Sequence, residues 1–244
     1  MKSVRLHADG LRLEEIARPE PNADEVLVRV HAASITRDEL TWPTDRLPAI
    51  PSYELSGVVE STGEEVFALT PFDRDGVAAE WASVPRSVLA PKPAGLSHEE
   101  AAALPMPGLT AWQALVVHGG LSAGQRVLVT GSTGGVGQVA VQLARQLGAV
   151  PVEDGEVCDL LFDTVGGEAL ARNAGGAQSV ITIAADAPGA RYFVVEPDGA
   201  QLAELPELHP QVDSVFPLED FDAAFARVAQ RGKHGKVVLS VVAT

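Results

Sequence analysis

Residues 125–149, QRVLVTGSTGGVGQVAVQLARQLGA, constrain the fold more than any other part of the chain. QRVLVT is a continuous β-rich run, suited to a strand buried on both faces of a parallel sheet. VGQVAVQLARQLGA is an apolar helical stretch with Gly148 at its end. Between the two, Gly131, Gly134, Gly135 and Gly137 allow a tight turn and a close approach of backbone to phosphate. The helix start behind them offers unpaired N–H groups and a partial positive charge. This order of strand, turn and helix predicts a nucleotide-phosphate role. The competing reading is that the glycines only permit close strand–helix packing.

The next stretch is too short for an ordinary unit of this kind. Between VPVED and CDLLFD stand only Gly155, Glu156 and Val157. A βαβ crossover takes at least about 10–12 residues, so no helix fits. In one reading VPVED is a second strand, and Glu153 or Asp154 is the acid that bonds a ribose 2′-OH, which favours NADH. In the other, VPVEDGEVCDLLF is a hairpin turning at Asp154-Gly155, with Pro151 on an edge strand. The spacing favours the hairpin, because the first reading still needs a route to CDLLFD.

Elsewhere VLVRVHA (26–32), LSGVVES (55–61), EEVFALT (64–70) and AAEWASVP (78–85) predict short strands of a mainly β domain. LSHEEAAAL (96–104) predicts a helix with Ser97 and Glu100 as a capping box. GLTAWQALVVHGG (108–120) predicts a second helix. CDLLFD, QSVITIAA and RYFVVEP predict further strands, and the segment from Phe216 a turn, a helix and a last strand. The formal charge of −15 argues against nucleic acid. The single cysteine, Cys158, rules out an internal disulfide and is expected to be a buried apolar residue. No apolar run suits a membrane span, and the charged N-terminus has no apolar core of a signal, so a cytoplasmic protein is expected.

The stretches EVLVRVHAASITRDEL, IPSYELSGVVE, LAPKPAGLSHEEAAALPMPGLTAWQAL, AGQRVLVTGSTGGVGQVAVQLARQLGA, LLFDTVGG, YFVVEP and HGKVVLSV cover most of the chain. In this order they resemble the medium-chain dehydrogenase/reductase superfamily, specifically its zinc-free quinone oxidoreductase-like branch. The resemblance implies an α/β fold: a GroES-like β domain plus a truncated Rossmann-type doubly wound parallel sheet. The first domain would be residues 1–107 rejoined by 216–244, and the second 108–215. Measured against the family pattern, on the order of 35–45 residues of a second α/β unit are missing. The ligand would lie between the domains, at the carboxyl ends of the parallel strands.

The resemblance also implies roles. Thr36 and Thr110 fall near a nicotinamide ring. Gly131, Ser132, Thr133, Gly134, Gly135, Val136 and Gly137 cradle the pyrophosphate of NADPH or NADH. Thr164, Gly166 and Ala184 line the cofactor path, and Phe193 and Val194 reach toward the carboxamide. Tyr53 stands where zinc-dependent relatives place a histidine, and no cysteine or histidine cluster replaces it, so no metal is expected. Tyr53, Thr36 and Asp38 are the catalytic candidates, with Arg37 as a polar neighbour. A packed ring is the alternative for Tyr53, a solvent-exposed pair with Arg37 that for Asp38, and His31 is expected to be structural. The implied activity is zinc-independent, NAD(P)H-dependent reduction of a quinone or conjugated carbonyl substrate by a homodimer. Kept open are a cofactor-independent isomerase, cyclase or lyase on the same scaffold and a non-catalytic binding homologue.

Overall fold

Short apolar runs broken by turn residues become strands throughout the computed structural model, which describes residues 1–42, 45–230 and 232–242. The chain first forms β1 (Lys2–His7), β2 (Gly10–Glu15), β3 (Glu25–Ile35), β4 (Glu54–Val59), β5 (Glu65–Leu69), β6 (Trp81–Pro85) and β7 (Leu89–Pro91). Helix α1 (His98–Ala102) follows, and Ser97 and Glu100 close the expected capping box. Next come α2 (Pro105–Trp112), β8 (Arg126–Val129), α3 (Gly135–Gln146), β9 (Val150–Val152), β10 (Cys158–Asp163), α4 (Gly167–Ala174), β11 (Ala177–Thr182) and β12 (Arg191–Tyr192). The last elements are α5 (Gly199–Ala203), β13 (Val212–Pro217), α6 (Phe221–Ala229) and β14 (Lys236–Ser240). The helix expected over 108–120 is α-helical only to Trp112 and continues as a π-helical stretch, Gln113–His118. RYFVVEP is a strand only at Arg191–Tyr192.

Two compact units result. One comprises residues 1–105, 197–204 and 209–244, the other residues 106–196 and 205–208. The boundary at 215 read from the sequence therefore gives way to an earlier return. The physical reason lies in two contacts. A Cβ on Gly199 would lie 2.4 Å from the Leu89 carbonyl oxygen, so α5 packs on β7. β13 also pairs in parallel with β14. Of the segment 216–244, residues 231, 243 and 244 lie outside the described residues.

The second unit is built on a five-stranded sheet in the order β12-β11-β10-β8-β9. Val127, Leu128 and Val129 of β8 are buried, as a strand flanked on both sides requires. Val139, Ala140, Leu143 and Ala144 form the buried stripe of α3. The hairpin expected over 150–163 is not formed. β9 pairs in parallel with β8, as does β10, and they lie on opposite sides of it. The link 153–157 therefore crosses β8. Two strand spacings are about 10 Å, and the six steps from Val152 to Cys158 reach about 20 Å when extended. Five residues suffice without a helix.

The first unit holds a two-stranded sheet, β1-β2, and a seven-stranded sheet ordered β13-β14-β3-β4-β5-β7, with β6 also on β3. Its core gathers Val28, Val30, Leu55, Ala68, Val84, Leu218, Val237 and Leu239. The register sets Ile35 opposite Val237 and Ser34 opposite Glu54. Thr36, Glu54 and Lys236 are thereby brought to one place. Fully buried Glu54 forms an ion pair with Lys236. Lys236 Nζ also donates to Thr36 Oγ1 at 3.0 Å. Removing one partner strands the other charge, so Lys236→Met should cost about 3–5 kcal/mol in urea unfolding. Adding Glu54→Leu to that variant should recover most of the loss. A Lys236→Met protein as stable as the wild type would contradict this.

Candidate functional site

At the carboxyl ends of the second unit's strands one carboxylate organises the backbone. Asp163 is fully buried at the end of β10. Its Oδ1 accepts from Thr130 Oγ1 at 2.6 Å and from Val165 N at 3.3 Å. Its Oδ2 accepts from Thr182 Oγ1 at 2.8 Å and Gly166 N at 3.0 Å. Three neighbouring parallel strands, β8, β10 and β11, are thus tied at one end. Thr164 completes the tie by donating from Oγ1 to the Thr130 carbonyl at 2.7 Å. A buried anion needs such donors when no cation faces it.

The glycine turn is seated on this network. Gly131 has φ of 68°, and a Cβ there would lie 2.5 Å from Thr164 Oγ1. A Cβ on Gly137 would lie 2.1 Å from the Gly131 carbonyl oxygen. Both positions therefore require glycine for close packing of turn and helix. Gly134, the N-cap residue of α3, has extended backbone and no side chain to cap the helix. Ser132, Thr133 and Gly134 are exposed, Gly131, Gly135 and Val136 half-buried, and Gly137 buried. The helix start is thus open to an anion while its base is packed.

The other residues read from the sequence have definite places in this unit. Thr110 is buried in α2. Thr164 adjoins Gly131, and Gly166 packs within 3.0 Å of Ala184 at its would-be Cβ. Phe193 N donates to the Thr182 carbonyl at 3.3 Å, and its ring meets His118 edge-on. Val194 is exposed. Beside the turn lies a cleft of about 380 Å³, lined by Thr130–Ser132, Arg145, Glu153, Asp154 and Arg172 among others. Asp154 is engaged by Asn173 Nδ2 at 2.5 Å and Arg172 Nε at 3.3 Å. The Glu153 carboxylate has no such bond among the described residues. The shortened chain therefore still carries basic side chains at this cleft, on α3 and α4, which the sequence did not disclose.

In the first unit the three catalytic candidates separate. Thr36 joins the buried pair, its hydroxyl donating to Glu54 Oε1 at 3.3 Å. Tyr53 stacks on Trp42 and meets Phe72 edge-on. Burial, and then the charge of Glu39, push its hydroxyl above the usual tyrosine range. Asp38 is exposed with φ of 63°, and no ion pair joins it to exposed Arg37 among the described residues. The next residue, Glu39, is the buried one. Its carboxylate receives Thr36 N at 2.9 Å, Ser52 N at 3.0 Å and Ser52 Oγ at 3.3 Å. His31 stacks against His98, whose Nδ1 lies 2.8 Å from Ser56 Oγ. Cys158 is buried. No group of three or more His, Cys, Asp or Glu side chains is placed to hold a metal ion among the described residues. Nor is any helix among them long and apolar enough to cross a membrane.

Glu39, Asp163, Thr130, Thr182 and Lys236 escaped the sequence reading. For Asp163, Thr130 and Thr182 the one signal is a polar residue ending an apolar run, as in LLFD, VLVT and VIT.

The chain is similar over nearly its whole length to several known proteins. A probable zinc-binding oxidoreductase, mitochondrial, of Arthroderma benhamiae is 30% identical, covering 96% of this chain and 94% of its own. A 2-methylene-furan-3-one reductase of Solanum lycopersicum is 31% identical, covering 95% and 76%. The quinone oxidoreductase of Thermus thermophilus, solved also with NADPH, is 30% identical with a TM-score of 0.83, covering 99% and 100%. The alcohol dehydrogenase GroES-like domain model matches residues 22–186, and the zinc-binding dehydrogenase model residues 144–239. The chain therefore belongs to the medium-chain dehydrogenase/reductase superfamily. Within it, the chain falls in the quinone oxidoreductase-like branch and is an oxidoreductase. The fungal match spans 312 aligned positions but uses 96% of 244 residues, about 234, so about 78 positions carry no residue of this chain.

Removing the Asp163 carboxylate leaves donors of three strands without their acceptor. Asp163→Ala should lower stability by about 2–4 kcal/mol in denaturant unfolding, and an unchanged midpoint would contradict the network's importance. Glu39 supplies a pH test. Burial pushes its carboxyl up to about 7, from an ordinary 4.5, against the bonds from Thr36 and Ser52 and the charge of Lys236. Its stabilising contribution is complete below pH 4.5 and lost as pH rises to 7. The stability of wild type minus that of Glu39→Gln should therefore fall by about 3 kcal/mol across this window. A flat difference between the two proteins would contradict it.

Proposed function

We propose that the protein transfers hydride from NADH or NADPH to a quinone or an α,β-unsaturated carbonyl substrate, without a metal ion. The glycine turn carries this reading: Gly131 and Gly137 are locked by packing, while Gly134 leaves the start of α3 open to phosphate. The bound nicotinamide supplies the hydride. Residues 131–137 bind the phosphates through backbone N–H groups, and Asp163 holds that backbone rigid by tying Thr130 to Thr182. Thr164, Gly166, Ala184, Phe193 and Val194 border the same strand ends and would orient the ring, and Thr110 is a further candidate for that role. Glu153, rather than Asp154, suits a ribose 2′-OH, since Arg172 and Asn173 already occupy Asp154. That favours NADH, with Arg145 as the group that would accept a 2′-phosphate instead.

In the first unit Thr36 is the best-supported source of a proton, because Lys236 donates to its hydroxyl oxygen. Tyr53 is the second candidate, and exposed Asp38 the weakest. The exposed edge of Arg191–Tyr192, with Tyr192 and Val194 also exposed, suits a homodimer. A cofactor-independent isomerase, cyclase or lyase is the competing reading, favoured by the five-residue link where an α/β unit would stand.

Dinucleotide titration separates these readings. A ligand bound at micromolar Kd stabilises the fold by about 4 kcal/mol at millimolar concentration, so NADH should raise the melting temperature by several degrees. In Gly134→Asp the new carboxylate caps α3 but occupies the phosphate position. Its Cβ meets only the Gly131 carbonyl oxygen, at 3.2 Å. That variant should melt within a few degrees of the wild type and show no NADH shift. Absence of any dinucleotide shift in the wild type would overturn the redox reading.

A further inference from the structure

We infer that the protein binds reduced nicotinamide mononucleotide, as a hydride donor, nearly as tightly as the full dinucleotide. This deepens the reading above and rests on it. In a complete doubly wound sheet ordered 3-2-1-4-5-6, the dinucleotide straddles the switch between strands 1 and 4, with one mononucleotide on each half. In this chain β10, β11 and β12 take places 4, 5 and 6, and β8 and β9 take places 1 and 2. Place 3 has no strand among the described residues. The two halves are therefore unequal.

The nicotinamide half is whole. Three parallel strands end there, and Asp163 fixes the Thr164–Gly166 turn through bonds to Val165 N and Gly166 N. Phe193 is held to the Thr182 carbonyl. The glycine turn serves one phosphate as readily as two, because its seat, Gly131 against Thr164 and Gly137 against the Gly131 carbonyl, is packed within the turn and its own network.

The adenosine half is reduced. β9 is a three-residue edge strand, and its Val150 is 49% exposed. The link beyond it is bound back on α4: Gly155 N donates to Asn173 Oδ1 at 2.9 Å, and Arg172 pairs with Asp154. Among the described residues, the cleft beside it carries no aromatic side chain to stack on a base. It offers an adenosine the exposed charged residues Glu153, Arg145 and Arg172, where polar contacts contribute little, and only small apolar side chains such as Pro151, Val152 and Ala169. The adenylate half of the cofactor should therefore add no more than about tenfold to affinity, or about 1.4 kcal/mol.

The test is titration of the intact protein with NADH and with reduced nicotinamide mononucleotide, followed by nicotinamide fluorescence. Dissociation constants within tenfold of each other support the inference. NADH bound more than tenfold tighter overturns it while leaving the reductase reading intact. If neither donor binds, the reductase reading fails and this inference falls with it.

Discussion

The hydrogen bonds around Asp163 are the constraint on which the second unit depends. A carboxylate with no exposure is stable there only because the ends of β8 and β11 and the turn after β10 all aim donors at it. That arrangement fixes Thr164 beside Gly131, which is why Gly131 tolerates no side chain. Gly131 in turn supplies the carbonyl on which Gly137 packs, and so sets where α3 begins. The order of dependence runs from a buried acid to a turn and then to a helix start. The short link 153–157 lies outside this chain of contacts. β9 needs only β8 to pair with, so the sheet survives the shortening.

The first unit is organised by a different balance of charge. Two buried carboxylates, Glu39 and Glu54, share the neighbourhood of one buried ammonium, Lys236. Lys236 pairs with Glu54, while burial holds Glu39 up to about 7. Thr36 stands between the two systems, its backbone N–H on Glu39 and its hydroxyl between Lys236 and Glu54. The residue types are ordinary. Their effect comes from the antiparallel register that sets Ile35 against Val237 and Ser34 against Glu54.

Much of this was legible in the sequence, and the failures share a cause. The strand QRVLVT, the glycine turn and the following helix could be read because all their determinants are local. So could the Ser97–Glu100 capping box. At VPVED the strong local turn signal of Asp154-Gly155 favours a hairpin, whereas the structure forms the other reading, a second parallel strand. What decided the outcome was non-local: β9 is satisfied by β8, and Asp154 is claimed by Arg172 and Asn173 on α4. β13 was missed for a similar reason, since VDSVFP gains its strand character only from parallel pairing with β14. Asp38 looked like the acid of its loop, yet the backbone turn at φ 63° exposes it and buries Glu39 instead. Periodicity cannot report which of two adjacent acids faces inward when the intervening turn is left-handed.

A shortened nucleotide-binding unit is proposed still to deliver a hydride. Following deuterium from NADH carrying two deuterons at C4 into a panel of simple enones, alongside NADH oxidation by quinones, tests that claim directly. The expected result is a saturated ketone with the label at its β-carbon and a solvent proton at its α-carbon. Unlabelled product, or no turnover of enones and quinones alike, would contradict it.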